Sequence, residues 1–182
     1  MNTKVSMGIV ALALTFTMSN AVQAEDFSGE YHIVAAGETK AKGWMLATSK
    51  DQLIASNRIG GIRWKFQSAG ESDKGASLYL ITEADNYLIV KDGKPLLVKQ
   101  KPEANEGRWI VPMVTDDDHA ILYYDDDQKG GNALSLPESD KEPVEDPNLN
   151  NDRNVVYNAG MERHNAGGRG HDHQQWEIRK RE

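Results

Sequence analysis

The chain contains no cysteine. Disulfides, thiolate metal ligands and a cysteine nucleophile are therefore excluded, as is a lipid-bearing cysteine behind a leader. A domain of this kind in an oxidising compartment must hold together by packing alone. Long apolar runs are missing too, because nothing after residue 24 approaches the roughly 20 consecutive apolar residues of a spanning helix, and no membrane span is predicted. Basic residues are in deficit, with 21 against 28 acidic ones and a formal net charge of −7. No basic stripe with interleaved aromatics offsets this, so phosphate backbones are repelled and nucleic acid is excluded as a partner. There is no Gly-any-Ser-any-Gly elbow and no His-Glu-any-any-His helix. The chain therefore reads as non-enzymatic, with no cofactor expected. Helical periodicity is almost absent as well, which leaves strands.

At the start, Lys4 precedes an apolar run from Gly8 to Met18, and Val22-Gln23-Ala24 supplies the small-residue cleavage site before Glu25. This is the pattern of a signal peptide over residues 1–24. It predicts a secreted or periplasmic protein whose working form is 25–182. That length is enough for one domain with its own core.

The working chain is organised around Gly107-Arg108-Trp109-Ile110-Val111, whose pattern returns in Ile62-Arg63-Trp64-Lys65-Phe66 and Gln174-Gln175-Trp176-Glu177-Ile178. Each tryptophan is followed two positions on by an apolar residue, so on an extended strand both face the same side. The spacings are 45 and 67 residues. They imply a period of roughly 40 to 45, with about 22 extra residues in the third unit. Short apolar runs punctuated by turns fill each unit. The first holds Tyr31 to Val34, Trp44 to Ala47, Gln52 to Ala55 and Arg63 to Phe66. The second holds Leu78 to Ile81, Tyr87 to Val90, Pro95 to Val98 and Arg108 to Val111, with an Asp92-Gly93 hairpin signal. In the third, Ala120 to Tyr124, Ala133 to Leu136, Asn154 to Tyr157 and Gln175 to Ile178 are the expected strands. A polar surface loop is predicted from Glu138 to Asp152, and a glycine-rich loop from Gly160 to Gly170. The three tryptophans are assigned to the core, since each is a large apolar body on a strand.

Three units of four strands are too few for a propeller, which typically needs four blades. They resemble the β-trefoil, an all-β fold of twelve strands in three four-stranded repeats, here about 27–70, 77–114 and 119–182. The tryptophan ending each unit is similar to the Gln-any-Trp of ricin-B-type lectins, matched in full only by Gln174-Gln175-Trp176. Ile62 and Gly107 stand at the glutamine position of the other units. The opening Gly29-Glu30-Tyr31-His32-Ile33 resembles the Gly-any-Tyr-any-Ile start of fungal trefoil lectins and trefoil protease inhibitors.

Trp44 and Tyr87 are read as matching aromatics at the start of the second strand of their units, where a ring at a rim can stack on a sugar. Asp85 and Asn86 beside Tyr87 could bond sugar hydroxyls, although Asp-Asn also suits an ordinary turn. The third unit offers Asn132 before Ala133 and so lacks the ring. The ricin-type resemblance implies an Asp early and an Asn late in a repeat, which aligns loosely with Asp85 and Asn105. Metal candidates are of two kinds. Asp146 to Asp152 carries oxygen ligands at alternate positions, yet Asn151 and Tyr157 stand where an EF-hand needs Gly and Glu. His164, His171 and His173 form the other set, on a glycine-rich stretch that does not preorganise a site. The resemblance thus implies a binding module for a glycan or glycoconjugate. The alternative partner is a protease, inhibited through the 138–152 loop, and a third reading is a structural envelope or matrix protein.

Overall fold

The computed structural model describes residues 27, 29–50, 52–57, 62–103, 106–124, 132–137, 141–146, 155–164 and 172–181. The first unit contains β1 (Glu30–Ala35), β2 (Met45–Ser49), β3 (Gln52–Ser56) and β4 (Trp64–Glu71). The second contains β5 (Ser77–Glu83), β6 (Asn86–Lys91), β7 (Lys94–Val98) and β8 (Trp109–Ile110). The third contains β9 (Asp118–His119), β10 (Leu122–Tyr123), β11 (Asn132–Ser135), β12 (Val144–Glu145), β13 (Val155–Asn158), β14 (Gly160–Arg163) and β15 (Trp176–Lys180).

The pairing closes a ring. β1 pairs with β4, β4 with β5, β5 with β8 and β8 with β10, while β15 joins β9 to β1. Register shows that β9 and β10 are two pieces of one strand. Ile33 lies opposite Ile178 and Ile81 opposite Phe66, and Ile121, between the two pieces, holds the matching place. Ile33, Ile81 and Ile121 are all fully buried. Six barrel strands result, and three hairpins, β2–β3, β6–β7 and β11–β14, cap one end. This is the twelve-strand β-trefoil, with β12 and β13 as an insertion.

The tryptophans lock the repeat. The indole N–H of Trp64 donates to the Leu46 carbonyl (3.1 Å), that of Trp109 to Leu88 (2.9 Å) and that of Trp176 to Leu134 (3.0 Å). Each indole and each of these leucines is fully buried. The polar edge of each large ring is thereby satisfied inside an apolar core. Opposite the hairpin cap, where the first strands enter the barrel, Phe27 fills the open end. Its ring lies 5.8 Å from Tyr31, 5.5 Å from Tyr79 and 5.6 Å from His119, centroid to centroid. Those three residues hold equivalent positions two before the isoleucines.

The third unit corrects the sequence reading. Its third trefoil strand is β14, paired to β11 through Leu134 and Met161, so the stretch read as a glycine-rich loop opens with a strand. Of Asn154 to Tyr157, expected in that role, Asn154 lies outside the described residues and Val155 to Tyr157 belong instead to β13, which docks on β3 through Tyr157 opposite Ala55. The stretch read as a polar loop likewise contains β12, paired with β13. The displacement has a simple cause. Val155, Val156 and Tyr157 are apolar enough to look like a core strand, and Val156 and Tyr157 do bury, but against the first unit's hairpin.

Candidate ligand-binding site

The Trp–Leu bonds fix which residues of the three units correspond. Because Leu46, Leu88 and Leu134 are equivalent, the residues before them are Met45, Tyr87 and Ala133, and those before them Trp44, Asn86 and Asn132. The strand pairing agrees, with Val34 opposite Met45, Thr82 opposite Tyr87 and Leu122 opposite Ala133. The matching of Trp44 with Tyr87 is therefore off by one residue. On a pleated strand one residue reverses the face, so the two rings do not form a repeated site.

Their surroundings differ accordingly. Trp44 is half-buried, packs against the core and meets Tyr157 of the insertion at 5.0 Å between ring centroids. Tyr87 is also half-buried but lies outside the core cluster, between Thr82 and Val98 on its neighbouring strands. The turn beside it, Ala84-Asp85, is tight. Ala84 takes a φ of 49°, a left-handed conformation that an alanine adopts at a cost of about 1 kcal/mol. Asp85 is exposed at its tip, and the Asn86 side chain donates to the Glu83 carbonyl at 3.4 Å. Asn132 sits on β11 between Tyr123 and Arg163. The structure thus brings Asp85, Asn86 and Tyr87 together and leaves Trp44 and Asn132 on the corresponding turns of other units.

The metal candidates are dispersed. His164 Nδ1 bonds Gln174 Oε1 at 3.2 Å, and His173 Nε2 bonds the Glu162 carboxylate at 2.7 Å, tying β14 to the 3₁₀ turn Asp172–Gln174. Asp146 is half-buried after β12. His171, Asp152 and Asn105 lie outside the described residues, and among the described residues no three His, Asp or Glu are arranged to hold a metal.

A concavity elsewhere in the fold involves none of the anticipated residues. It is a groove of about 620 Å³ in the hairpin cap, with Gln52, Lys94 and Asn158 at equivalent positions. Sequence reading missed it because correct register within the third unit is needed to see these residues as one set.

A six-stranded barrel, three capping hairpins and a threefold Trp–Leu lock define the fold as a β-trefoil. Solved structures agree. The chain is similar to a designed threefold-symmetric protein, ThreeFoil, with a TM-score of 0.58 and 16% identity over 84% of this chain and 99% of that one. It is also similar to the receptor-binding domain of a botulinum neurotoxin C/D mosaic serotype, with a TM-score of 0.55 and 10% identity over 86% of this chain and 42% of that one. At such identities the likeness is one of fold. No protein-family model and no curated protein matches the sequence.

Proposed function

We propose that the chain is an exported, non-enzymatic recognition module that binds a carbohydrate at the second unit's Ala84-Asp85 turn. The observation that carries this is the state of Tyr87, a half-exposed ring outside the core cluster, beside an exposed carboxylate and a half-exposed amide. A ring offers its face to the apolar side of a sugar, and Asp85 and Asn86 offer an acceptor and a mixed donor-acceptor to its hydroxyls. Strain at Ala84 fits a turn kept for presentation rather than for stability. The fold is shared with a receptor-binding domain, which supports recognition by analogy of fold. Export rests on the leader pattern of residues 1–24.

Peptidase inhibition through 138–152 is the competing reading. Residues 141–146 of that segment are held in place, since Glu142 pairs with Lys40 and β12 pairs with β13, and a held loop suits an inhibitor. A glycan array, followed by calorimetry on the best hit, separates the two. Tyr87→Ala should cost about 2 kcal/mol or more in binding while leaving the melting temperature nearly unchanged. If glycan binding survives the substitution, or no glycan binds, the sugar reading fails. Loss of protease inhibition on deleting 138–152 would then establish the inhibitor, and no effect of either change on any ligand would leave a structural envelope or matrix role.

A further inference from the structure

We propose that the groove in the hairpin cap is a second binding site, selective for a small amphipathic anion: a carboxylate carried on an apolar body. It is independent of the sugar reading. The groove arises where the threefold pattern fails. Counting back along the third strands from the equivalent residues Ala55, Leu97 and Met161, one position is held by Gln52, Lys94 and Asn158, and the next by Leu53, Pro95 and Ala159. Both triplets line the groove. The third unit places small Ala159 and Gly160 where the others place Leu53-Ile54 and Pro95-Leu96, and the smaller side chains widen a groove whose volume is about 620 Å³. A Cβ added at Gly160 would meet nothing within 4 Å.

The backbone is asymmetric at the same place. Ala159 N–H donates to the Leu53 carbonyl at 2.9 Å, but the corresponding bond from the second unit to the third would need an N–H on Pro95, which has none. That seam therefore lacks the bond that draws the first and third units together.

The lining specifies the ligand. Its walls are aliphatic and favour an apolar body by burial, while Gln52 and Asn158 are neutral amides with N–H groups to donate. Lys94 is exposed and forms no ion pair among the described residues. Among the described lining residues it is the one charge, on a chain whose net charge is −7. The adjoining hollow of about 440 Å³, which shares Asn158 and Gly160, carries Lys141 and Glu162, whose charges oppose each other. One cation over apolar walls selects a single anionic head.

The test uses octanoate, with 1-octanol as its uncharged counterpart, followed by methyl NMR of Leu53, Leu96 and Ala159 and by calorimetry. Octanoate should shift these methyls and bind more tightly than 1-octanol. Lys94→Gln should weaken octanoate roughly fivefold, in keeping with an exposed ion pair, and leave 1-octanol unaffected. Gly160→Leu, which fills open space, should reduce both about tenfold or more at an unchanged melting temperature. If Gly160→Leu lowers the melting temperature, the Lys94→Gln comparison decides. Tyr87→Ala should leave octanoate binding as it is. Equal affinity for the two probes, no response of the groove methyls, or no effect of Lys94→Gln overturns the proposal.

Discussion

Trp109 concentrates at one residue the forces that hold the barrel. Its indole is fully buried, bonds the Leu88 carbonyl at 2.9 Å and meets Tyr123 edge-on at 5.5 Å. Trp109→Ala should therefore cost about 3 to 5 kcal/mol, because the void is walled by strands of a closed ring that cannot collapse into it. Denaturant titration checks this, and a loss under about 1 kcal/mol would mean the ring had relaxed. Tyr157 makes a different demand. Burial pushes its hydroxyl above the usual tyrosine range, helped by the Glu142 charge and opposed by Lys40. The folded state thus favours the neutral phenol. Its contribution to stability is fully present below about pH 10, the unperturbed value, and is lost as pH rises through the higher folded value. In a spectrophotometric titration the phase that ionises above the usual tyrosine range should lose amplitude in Tyr157→Phe; an unchanged amplitude would mean that Tyr157 does not contribute to it.

Among the elements, the 3₁₀ turn Asp172–Gln174 joins parts of the chain that are far apart in sequence. It bonds β14 through His173 and Glu162, its His173 carbonyl receives the Leu136 N–H at 2.9 Å, and it presses on the loop after β1. At that contact Gly37 is required by space rather than by φ. A Cβ there would lie 1.9 Å from the Asp172 carbonyl oxygen, and backbone cannot swing aside as a side chain can. Gly37→Ala should accordingly destabilise by roughly 1 to 3 kcal/mol, the usual cost of overpacking. Hydrogen exchange should show the loss of protection centred on 36–44 and 172–176. Uniform loss across the barrel would show that the turn is not a separable contact. The insertion is a second such element. Its strand β13 covers Trp44 and extends the first unit's hairpin, so the apparent surplus of the third repeat is spent on packing the first.

For the whole molecule, Phe27 decides how much of the amino terminus is needed. A barrel capped by hairpins at one end has an open mouth at the other, and Phe27 closes it against Tyr31, Tyr79, Phe66 and His119. Cleavage after Ala24, the site that the leader pattern predicts, would keep this plug. A chain beginning at Glu25 should fold to full stability, whereas one beginning at Gly29 should lose about 3 to 5 kcal/mol, the range for deleting a buried Phe side chain. Equal melting temperatures for the two would show that the plug is dispensable.

The three tryptophans, the short apolar runs between turns and the Asp92-Gly93 hairpin were readable because alternation and turn chemistry are local. Asp92 and Gly93 do take the positive φ values, 50° and 72°, that such a turn requires. Burial of Trp64, Trp109 and Trp176 followed from the same local pattern. What tertiary structure alone decided was correspondence. A shift of one residue between Trp44 and Tyr87, and the choice of Gly160–Arg163 over Asn154 to Tyr157 as a hairpin strand, depend on which carbonyl an indole reaches and which strand accepts a partner. Such pairings join residues far apart in the chain, so no local periodicity encodes them. The groove in the cap follows from them in turn, since it exists only where Leu53, Pro95 and Ala159 are brought around one axis.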